Sequence, residues 1–321
     1  MFLRKSGFIG VKLSQNNKKN EFSFTGLFIL SLTKFCSYLP LRVAHAIGSG
    51  FGLLFYYLPN KAKQVAKFNI EHCFPELDRE QQNLLVKNSL KESGKTLTEM
   101  GAMWFWSSKK IQRYIQFENK EQALNLFGKN QKPVMILCPH LGCWEIVNLA
   151  ISSFTPMTSL YRPPRVKMID KIMLQARRRG GGILVPTSNT GVKALYSALR
   201  KKQVVGILPD QDPGEGKGIF APFFSIPANT MPLAGRLISQ TKPQVYLVYG
   251  ERLKKGKGYK VIIKPAPDQI LIAEQDRIAT IINALVESGV RQIPEQYQWT
   301  YKRFKFQPDG SKFYAAMNRH K

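Results

Sequence analysis

The chain has 321 residues, with 48 Lys and Arg against 21 Asp and Glu, so its formal net charge is +27. This excess of positive charge favours an anionic partner or surface, and 44% apolar residues indicate a folding chain rather than a polybasic disordered arm. The four cysteines lack paired spacing, which excludes a disulfide scaffold and favours a reducing compartment. Nucleic acid, an anionic membrane surface and an acidic carrier protein remain open as partners.

Residues 1–59 are predicted to form a basic N-terminus and a membrane-associated helical segment. Apolar stretches cover residues 22–32 and 43–58, and Pro40 and Arg42 lie between them. Both stretches are shorter than the roughly 20 apolar residues that cross a bilayer. We therefore expect a hairpin or an interfacial anchor. The alternative is that both stretches are buried helices of a soluble core.

Residues 60–321 are predicted to form one α/β domain. The pattern is helical to about residue 131, with a break at Pro75. Short apolar runs then alternate with amphipathic stretches, which predicts a mixed, mainly parallel central sheet flanked by helices. The predicted strands cover residues 134–138, 157–161, 182–185 and 204–208, with a late hairpin over 245–249 and 259–263. The predicted helices lie near residues 143–152, 166–179, 190–201, 231–240 and 278–290.

The first strand of this sheet delivers His140 and Glu145 to its carboxyl end, where active groups of α/β proteins collect. On one continuous helix the two side chains would point about 140° apart. If His140 lies in a loop and a helix begins near Gly142, Glu145 can reach back to one imidazole nitrogen. The other nitrogen would then accept a proton from a hydroxyl, which predicts a His/Glu general base.

Further motifs follow this pair in order: Tyr161-Arg162-Pro163, Arg178-Arg179-Gly180, Pro209-Asp210-Gln211 and Pro227-Ala228-Asn229-Thr230. With His140-Leu141-Gly142-Cys143-Trp144-Glu145, they resemble the late acyltransferases of lipid A biosynthesis. That family lies in the lysophospholipid acyltransferase group, whose signature is His, four residues and an acid. The resemblance runs from about Phe22 to Phe304. Pro139 and Cys143 differ from it, because family members often have Asn at both places.

The resemblance implies transfer of a fatty acyl chain from acyl carrier protein to a hydroxyl of an anionic glycolipid, a lipid A precursor. It implies His140 and Glu145 as the catalytic pair and Asp210 and Gln211 as pocket or sugar contacts. Arg162 is expected to bind a phosphate or the developing oxyanion, or else to be a solvated loop residue. Arg179 is expected to bind phosphate or to end a helix. We expect no cofactor and no metal.

Two alternatives remain open at this stage. A glycerolipid acyltransferase would use the same base with a lysophospholipid acceptor. A basic protein that binds nucleic acid or another polyanion would account for the charge, although no recognition motif supports it, and we expect no nucleic acid partner. For the acyltransferase we expect a bacterial inner membrane location with the catalytic domain on the cytoplasmic face, because acyl carrier protein is cytosolic.

Overall fold

The computed structural model describes residues 24–129, 132–164 and 167–318. Within them lies a mixed sheet of seven strands flanked by helices, beside a separate two-stranded hairpin. The predicted mixed, mainly parallel α/β fold is therefore confirmed. The basic residues that precede the first apolar stretch lie outside the described residues.

The described helices and strands follow one another with short connections. The helices are α1 Phe24–Tyr38, α2 Leu41–Tyr57, α3 Lys61–Cys73, α4 Arg79–Phe105, α5 Ser108–Gln112, α6 Lys120–Ala123, α7 Trp144–Ile151, α8 Lys167–Arg179, α9 Asn189–Arg200, α10 Pro232–Thr241 and α11 Gln275–Val290. The strands are β1 Ile115–Phe117, β2 Val134–Leu137, β3 Met157–Tyr161, β4 Ile183–Pro186, β5 Val204–Ile207, β6 Ile219–Phe223, β7 Ile226–Thr230, β8 Gln244–Arg252 and β9 Tyr259–Pro265.

The strand order of the large sheet is β1-β9-β8-β2-β5-β3-β4. Strands β8, β2, β5, β3 and β4 run parallel, whereas β9 returns antiparallel to β8 and β1 pairs parallel with β9. Strand β2 lies between β5 and β8 with Val134 opposite both Val204 and Gln244. The carboxyl ends of β2, β5 and β8 therefore meet at one edge of the sheet.

Strand β2 is buried on both faces, which explains its unbroken apolar sequence. Val134 and Ile136 pack in a core with Ile146 of α7. Met135 and Leu137 point to the other face and pack in a core with α9, α10 and α11. Helices therefore cover both faces of the sheet where the loop after β2 begins.

Helices α1 and α2 pack against the long helix α4, which begins with a capping box formed by Asp78 and Gln81. Small residues allow the close approach of α2 and α4, because a Cβ on Gly94 would lie 1.9 Å from the carbonyl oxygen of Gly48. Pro40 separates α1 from α2, as expected of a residue that cannot continue a helix. The domain boundary at residue 59 falls just after α2 and stays a prediction.

Among the described residues, no helix combines the length and the apolar character needed to cross a bilayer. Helices α1 and α2 nevertheless expose large apolar side chains to solvent, between 38% and 72% of each. These residues are Leu27, Phe28, Ile29, Leu32, Phe35, Tyr38, Val43, Ile47, Phe51, Leu54, Phe55 and Tyr57. We call this set the apolar helix face. Its association with a membrane stays a prediction.

Candidate active site

His140 lies in the loop between β2 and α7, at the carboxyl edge of the sheet, and is 8% exposed. Its backbone N–H donates to Oδ2 of Asp210 at 2.8 Å, and its ring Nδ1 lies 2.9 Å from Oδ1 of the same carboxylate. An ionised carboxylate only accepts hydrogen bonds, so Nδ1 carries the proton that it donates. In the neutral ring, Nε2 is then the basic nitrogen.

Asp210 follows β5, the neighbour of β2, and is buried. Burial alone raises the pKa of a carboxyl, but the His140 ring and its hydrogen bonds outweigh it and lower the pKa of Asp210 below its ordinary value. Asp210 is therefore ionised near neutral pH, and it is placed to stabilise a positive charge on His140. The sequence predicted Asp210 only as a pocket or sugar contact.

The predicted contact between Glu145 and the imidazole of His140 is wrong. Glu145 lies in the first turn of α7, and its Oε2 accepts a hydrogen bond from Nε of Arg177 at 3.0 Å. A second bond joins Oε1 to Nη2 of Arg177. Glu145 thus joins α7 to α8. The error arises because spacing along the chain does not show that the end of β5 lies beside the end of β2. Asp210, which follows β5, is the residue that bonds Nδ1 of His140.

Gln211 and Arg162, two further predicted site residues, are both exposed. Gln211 is exposed, and its amide nitrogen lies 3.2 Å from Nε2 of His140. Gln211 therefore lies beside His140, and its predicted contact with the pocket or the sugar stays a prediction. Arg162 is exposed in the loop after β3. Its role as a substrate contact stays a prediction.

Arg179 ends α8 and contacts the carboxyl end of α4. It donates to the carbonyl oxygens of Met103 at 2.7 Å and Trp104 at 3.1 Å. This matches the helix-end alternative in part, except that Arg179 caps a neighbouring helix rather than its own. Its predicted contact with substrate phosphate is not tested by these bonds.

A cavity of about 250 Å³ opens beside His140. Its walls come from α2, α3, α4, the loop after β2, the start of α7, the end of β8 and the chain after α11, and most of the surface of its lining is apolar. The apolar lining includes Phe55, Ala62, Leu90, Leu97, Trp144 and Tyr297, and the polar lining includes Glu92, Thr96, Arg252 and Gln298. The Trp144 ring lies 4.9 Å from the imidazole of His140, centroid to centroid. The sequence predicted a pocket but did not point to Arg252.

The four cysteines are unpaired, as their spacing predicted, and all four are buried. Cys138 and Cys143 flank His140 in sequence, but burial raises the pKa of both thiols above the ordinary value, and the charge of Asp210 adds to this at Cys138. A thiolate nucleophile is therefore disfavoured at both positions. Among the described residues, no group of three or more His, Cys, Asp or Glu side chains is arranged to hold a metal ion.

An α/β sheet that presents a histidine bonded to a buried acid, at the wall of an apolar cavity, suits an enzyme that removes a proton from a hydroxyl of an apolar substrate. Comparison with known proteins identifies the family. The family described as bacterial lipid A biosynthesis acyltransferase matches residues 16–306, so the chain belongs to this family and is an acyltransferase.

Individual relatives are similar over most of their length. A lipid A biosynthesis acyltransferase of Haemophilus influenzae is 28% identical over 277 residues, which cover 84% of this chain and 87% of that protein. A lipid A biosynthesis lauroyltransferase of Escherichia coli is 25% identical, with 85% and 88% covered. An Escherichia coli lipid A biosynthesis myristoyltransferase is 27% identical, with 79% and 78% covered. The resemblance read from the sequence motifs is thus confirmed.

Proposed function

We propose that the protein transfers a fatty acyl chain from acyl carrier protein to a hydroxyl of a lipid A precursor, with His140 as general base. The observation that carries this is the double contact of His140 with Asp210, which leaves Nε2 as the basic nitrogen of a histidine that lines the cavity. The family and the named relatives support the reaction and the acceptor. The net charge of +27 supports an anionic glycolipid and an acidic carrier as substrates.

In this mechanism the acceptor hydroxyl displaces Gln211 from Nε2 and attacks the thioester carbonyl. Nε2 takes the hydroxyl proton as the C–O bond forms, and Asp210 stabilises the resulting imidazolium. Collapse of the tetrahedral intermediate breaks the C–S bond, and the imidazolium returns the proton to the leaving thiolate. The products are the ester and the free thiol of the carrier. In this mechanism Glu145 does not contact His140; it positions α8 relative to α7 through its bond with Arg177.

Mass spectrometry of lipid A tests this function. Cells that lack the protein are expected to contain a lipid A species lighter by one acyl chain, and a plasmid with the wild-type gene should restore the heavier species. The His140→Ala gene, expressed to the same level, should not restore it. Unchanged lipid A in cells that lack the protein, with a change in glycerolipids instead, would contradict the proposed acceptor.

Direct transfer, without an acyl-cysteine intermediate, predicts that the double variant Cys138→Ala with Cys143→Ala keeps substantial activity. Both thiols are buried and their pKa values are raised, so neither supplies a ready nucleophile. Steady-state turnover of the purified variant, corrected for its folded fraction, measures this. An acyl adduct trapped on either cysteine during turnover would overturn direct transfer.

We propose that the apolar helix face of α1 and α2 lies in the interface of the bacterial inner membrane. Many exposed Leu, Phe, Ile and Tyr side chains on two consecutive short helices are typical of an interfacial anchor. The basic charge of the chain adds attraction to anionic headgroups, at about 1 kcal/mol for each Lys or Arg near the surface. Because acyl carrier protein is cytosolic, the proposal places the catalytic domain on the cytoplasmic face.

Replacing two residues of the apolar helix face with Asp, Phe51→Asp and Leu54→Asp, is expected to lower binding to anionic liposomes at least about tenfold, since each apolar side chain contributes about 1.5–3 kcal/mol when buried. Flotation at physiological salt measures the bound fraction. Ile272→Asp is the control for a charge added at an exposed apolar position, because Ile272 is also exposed and lies outside α1 and α2, after β9. Equal flotation of all three proteins would contradict the assignment of this face.

The cytoplasmic placement predicts that a single reporter cysteine at Ser311, which is exposed, is protected from a membrane-impermeant maleimide in intact spheroplasts. The other four cysteines are replaced by Ala or Ser. Lysis should expose the reporter to full modification. Modification before lysis would place the catalytic domain on the other side of the membrane.

A further inference from the structure

Arg252 ends β8, and its side chain is 2% exposed. Its Nε lies 3.0 and 2.9 Å from the two carboxylate oxygens of Glu99, and its Nη2 lies 2.6 Å from Oε1 of the same group. The same Nη2 donates to Oγ1 of Thr96 at 2.7 Å and to the carbonyl oxygen of Gly142 at 3.0 Å. One guanidinium thus joins α4 to the loop that carries His140.

This loop is fixed by its backbone. Gly142 has a φ of +61°, a conformation that glycine adopts without strain, and a Cβ there would lie 2.1 Å from the carbonyl oxygen of Gly250. The N–H of Gly142 donates to the carbonyl oxygen of Gln296 at 2.9 Å, and the N–H of Cys143 donates to the carbonyl oxygen of Gly250 at 2.8 Å. The Gly142 carbonyl, two residues from His140, is the group that Arg252 holds.

Glu99 is fully buried on α4 and bonds the guanidinium of Arg252. Burial disfavours its charge, but Arg252 and His45 outweigh this and lower the pKa of Glu99 to about 2, so the pair is ionic at neutral pH. Tyr259 donates its hydroxyl to Oε2 at 3.0 Å, and Nε2 of His45 lies 3.1 Å from the same oxygen. Glu99 therefore joins α2, α4, β8 and β9 around one carboxylate.

Stability alone is a weak reason for such a pair, because desolvation of two charges offsets most of their attraction and apolar residues of similar volume are often as stable. A better reason for a buried ion pair at this place is that it fixes the positions of the groups that it contacts. The guanidinium presents several donors in one plane, so it can hold a carboxylate and a backbone carbonyl together, whereas the ammonium of lysine cannot match that geometry.

We propose that Arg252 and Glu99 are positioning residues for acyl transfer: Arg252 fixes the Gly142 carbonyl and with it the His140 loop, and Glu99 fixes Arg252. The inference rests on the proposed role of His140 as base. It assigns no contact with substrate to Glu99. Because Arg252 lines the cavity, the Glu99 variant separates positioning from substrate binding.

The test compares kcat and KM of purified wild type, Arg252→Lys and Glu99→Gln, each corrected for its folded fraction. Displacing a catalytic group by about 1 Å can cost about 10²-fold, so we expect kcat to fall about tenfold or more in both variants. KM of Glu99→Gln should stay within about threefold, since Glu99 is assigned no contact with substrate. Leu199→Ala is the matched destabilised control, because Leu199 is buried near the amino end of β5, at the opposite edge of the sheet. It should lower the melting temperature but leave the corrected kcat unchanged.

A double-mutant cycle with His140→Ala decides whether the pair acts through His140. In the His140→Ala background, Arg252→Lys and Glu99→Gln should cause no further loss of the residual rate. Wild-type kcat in folded Arg252→Lys would overturn the inference, as would the same fold-loss in both backgrounds. If Glu99→Gln does not fold, Tyr259→Phe takes its place, because it removes one hydrogen bond to Glu99 and keeps the contacts of Arg252. The kcat of Tyr259→Phe should fall less than that of Arg252→Lys. Full activity of His140→Ala would instead overturn the proposed base.

Discussion

His140→Ala is expected to reduce turnover by about 10²-fold or more while the protein still folds, because a hydroxyl is a poor nucleophile near neutral pH without a base in contact with it. Initial rates of transfer by purified protein measure the loss. His72→Ala is the matched control, since His72 is exposed on α3 and bonds the Phe68 carbonyl of its own helix. The control should keep wild-type turnover.

Near wild-type turnover in folded His140→Ala would contradict the mechanism. A loss of activity shared by His72→Ala would instead indicate an effect of the assay or of handling, which unfolding curves of both variants would identify. The prediction therefore depends on the difference between the two histidine variants at equal folded concentration.

Asp210→Asn is expected to cause the second largest loss, again by about 10²-fold or more. An amide can donate to Nδ1, which places the ring proton on Nε2 and removes the lone pair that accepts the hydroxyl proton. It also supplies no charge to stabilise the imidazolium. The measurement is kcat of the purified variant, with folding checked by its melting temperature.

Glu145→Gln provides the contrast to Asp210→Asn. Because Glu145 bonds Arg177 rather than the imidazole, its amide variant should keep the ring orientation and lose less activity than Asp210→Asn. The opposite order of effects would contradict the assignment of Asp210 as the residue that orients His140. It would return that role to Glu145.

Most of the large sheet could be predicted from the sequence because its central strands are buried on both faces and read as continuous apolar runs. The predicted strand over 157–161 matches β3, and the predicted helix over 190–201 differs from α9 by one residue at each end. The hairpin of β6 and β7 was missed. Pro222 and Pro227 face each other across it, and proline within a short run argues against a strand.

The candidate site was predicted in part. The position of His140 follows from the strand before it, and the presence of Asp210 and Gln211 near the pocket follows from the resemblance. The partner of the imidazole could not be predicted, because residues 140 and 210 meet only through the pairing of β2 with β5. Arg252 was missed for the same reason, since its contact with Gly142 joins residues 110 apart in the chain.

The most direct test of the central claim is a competition between acceptors. Purified protein receives acyl-loaded carrier protein with an equal mixture of a lipid A precursor and a lysophospholipid, and mass spectrometry follows both lipids. We predict that the lipid A precursor gains one acyl chain, that the lysophospholipid stays unchanged, and that His140→Ala modifies neither. Preferential acylation of the lysophospholipid, or the same gain of mass with His140→Ala, would contradict the account.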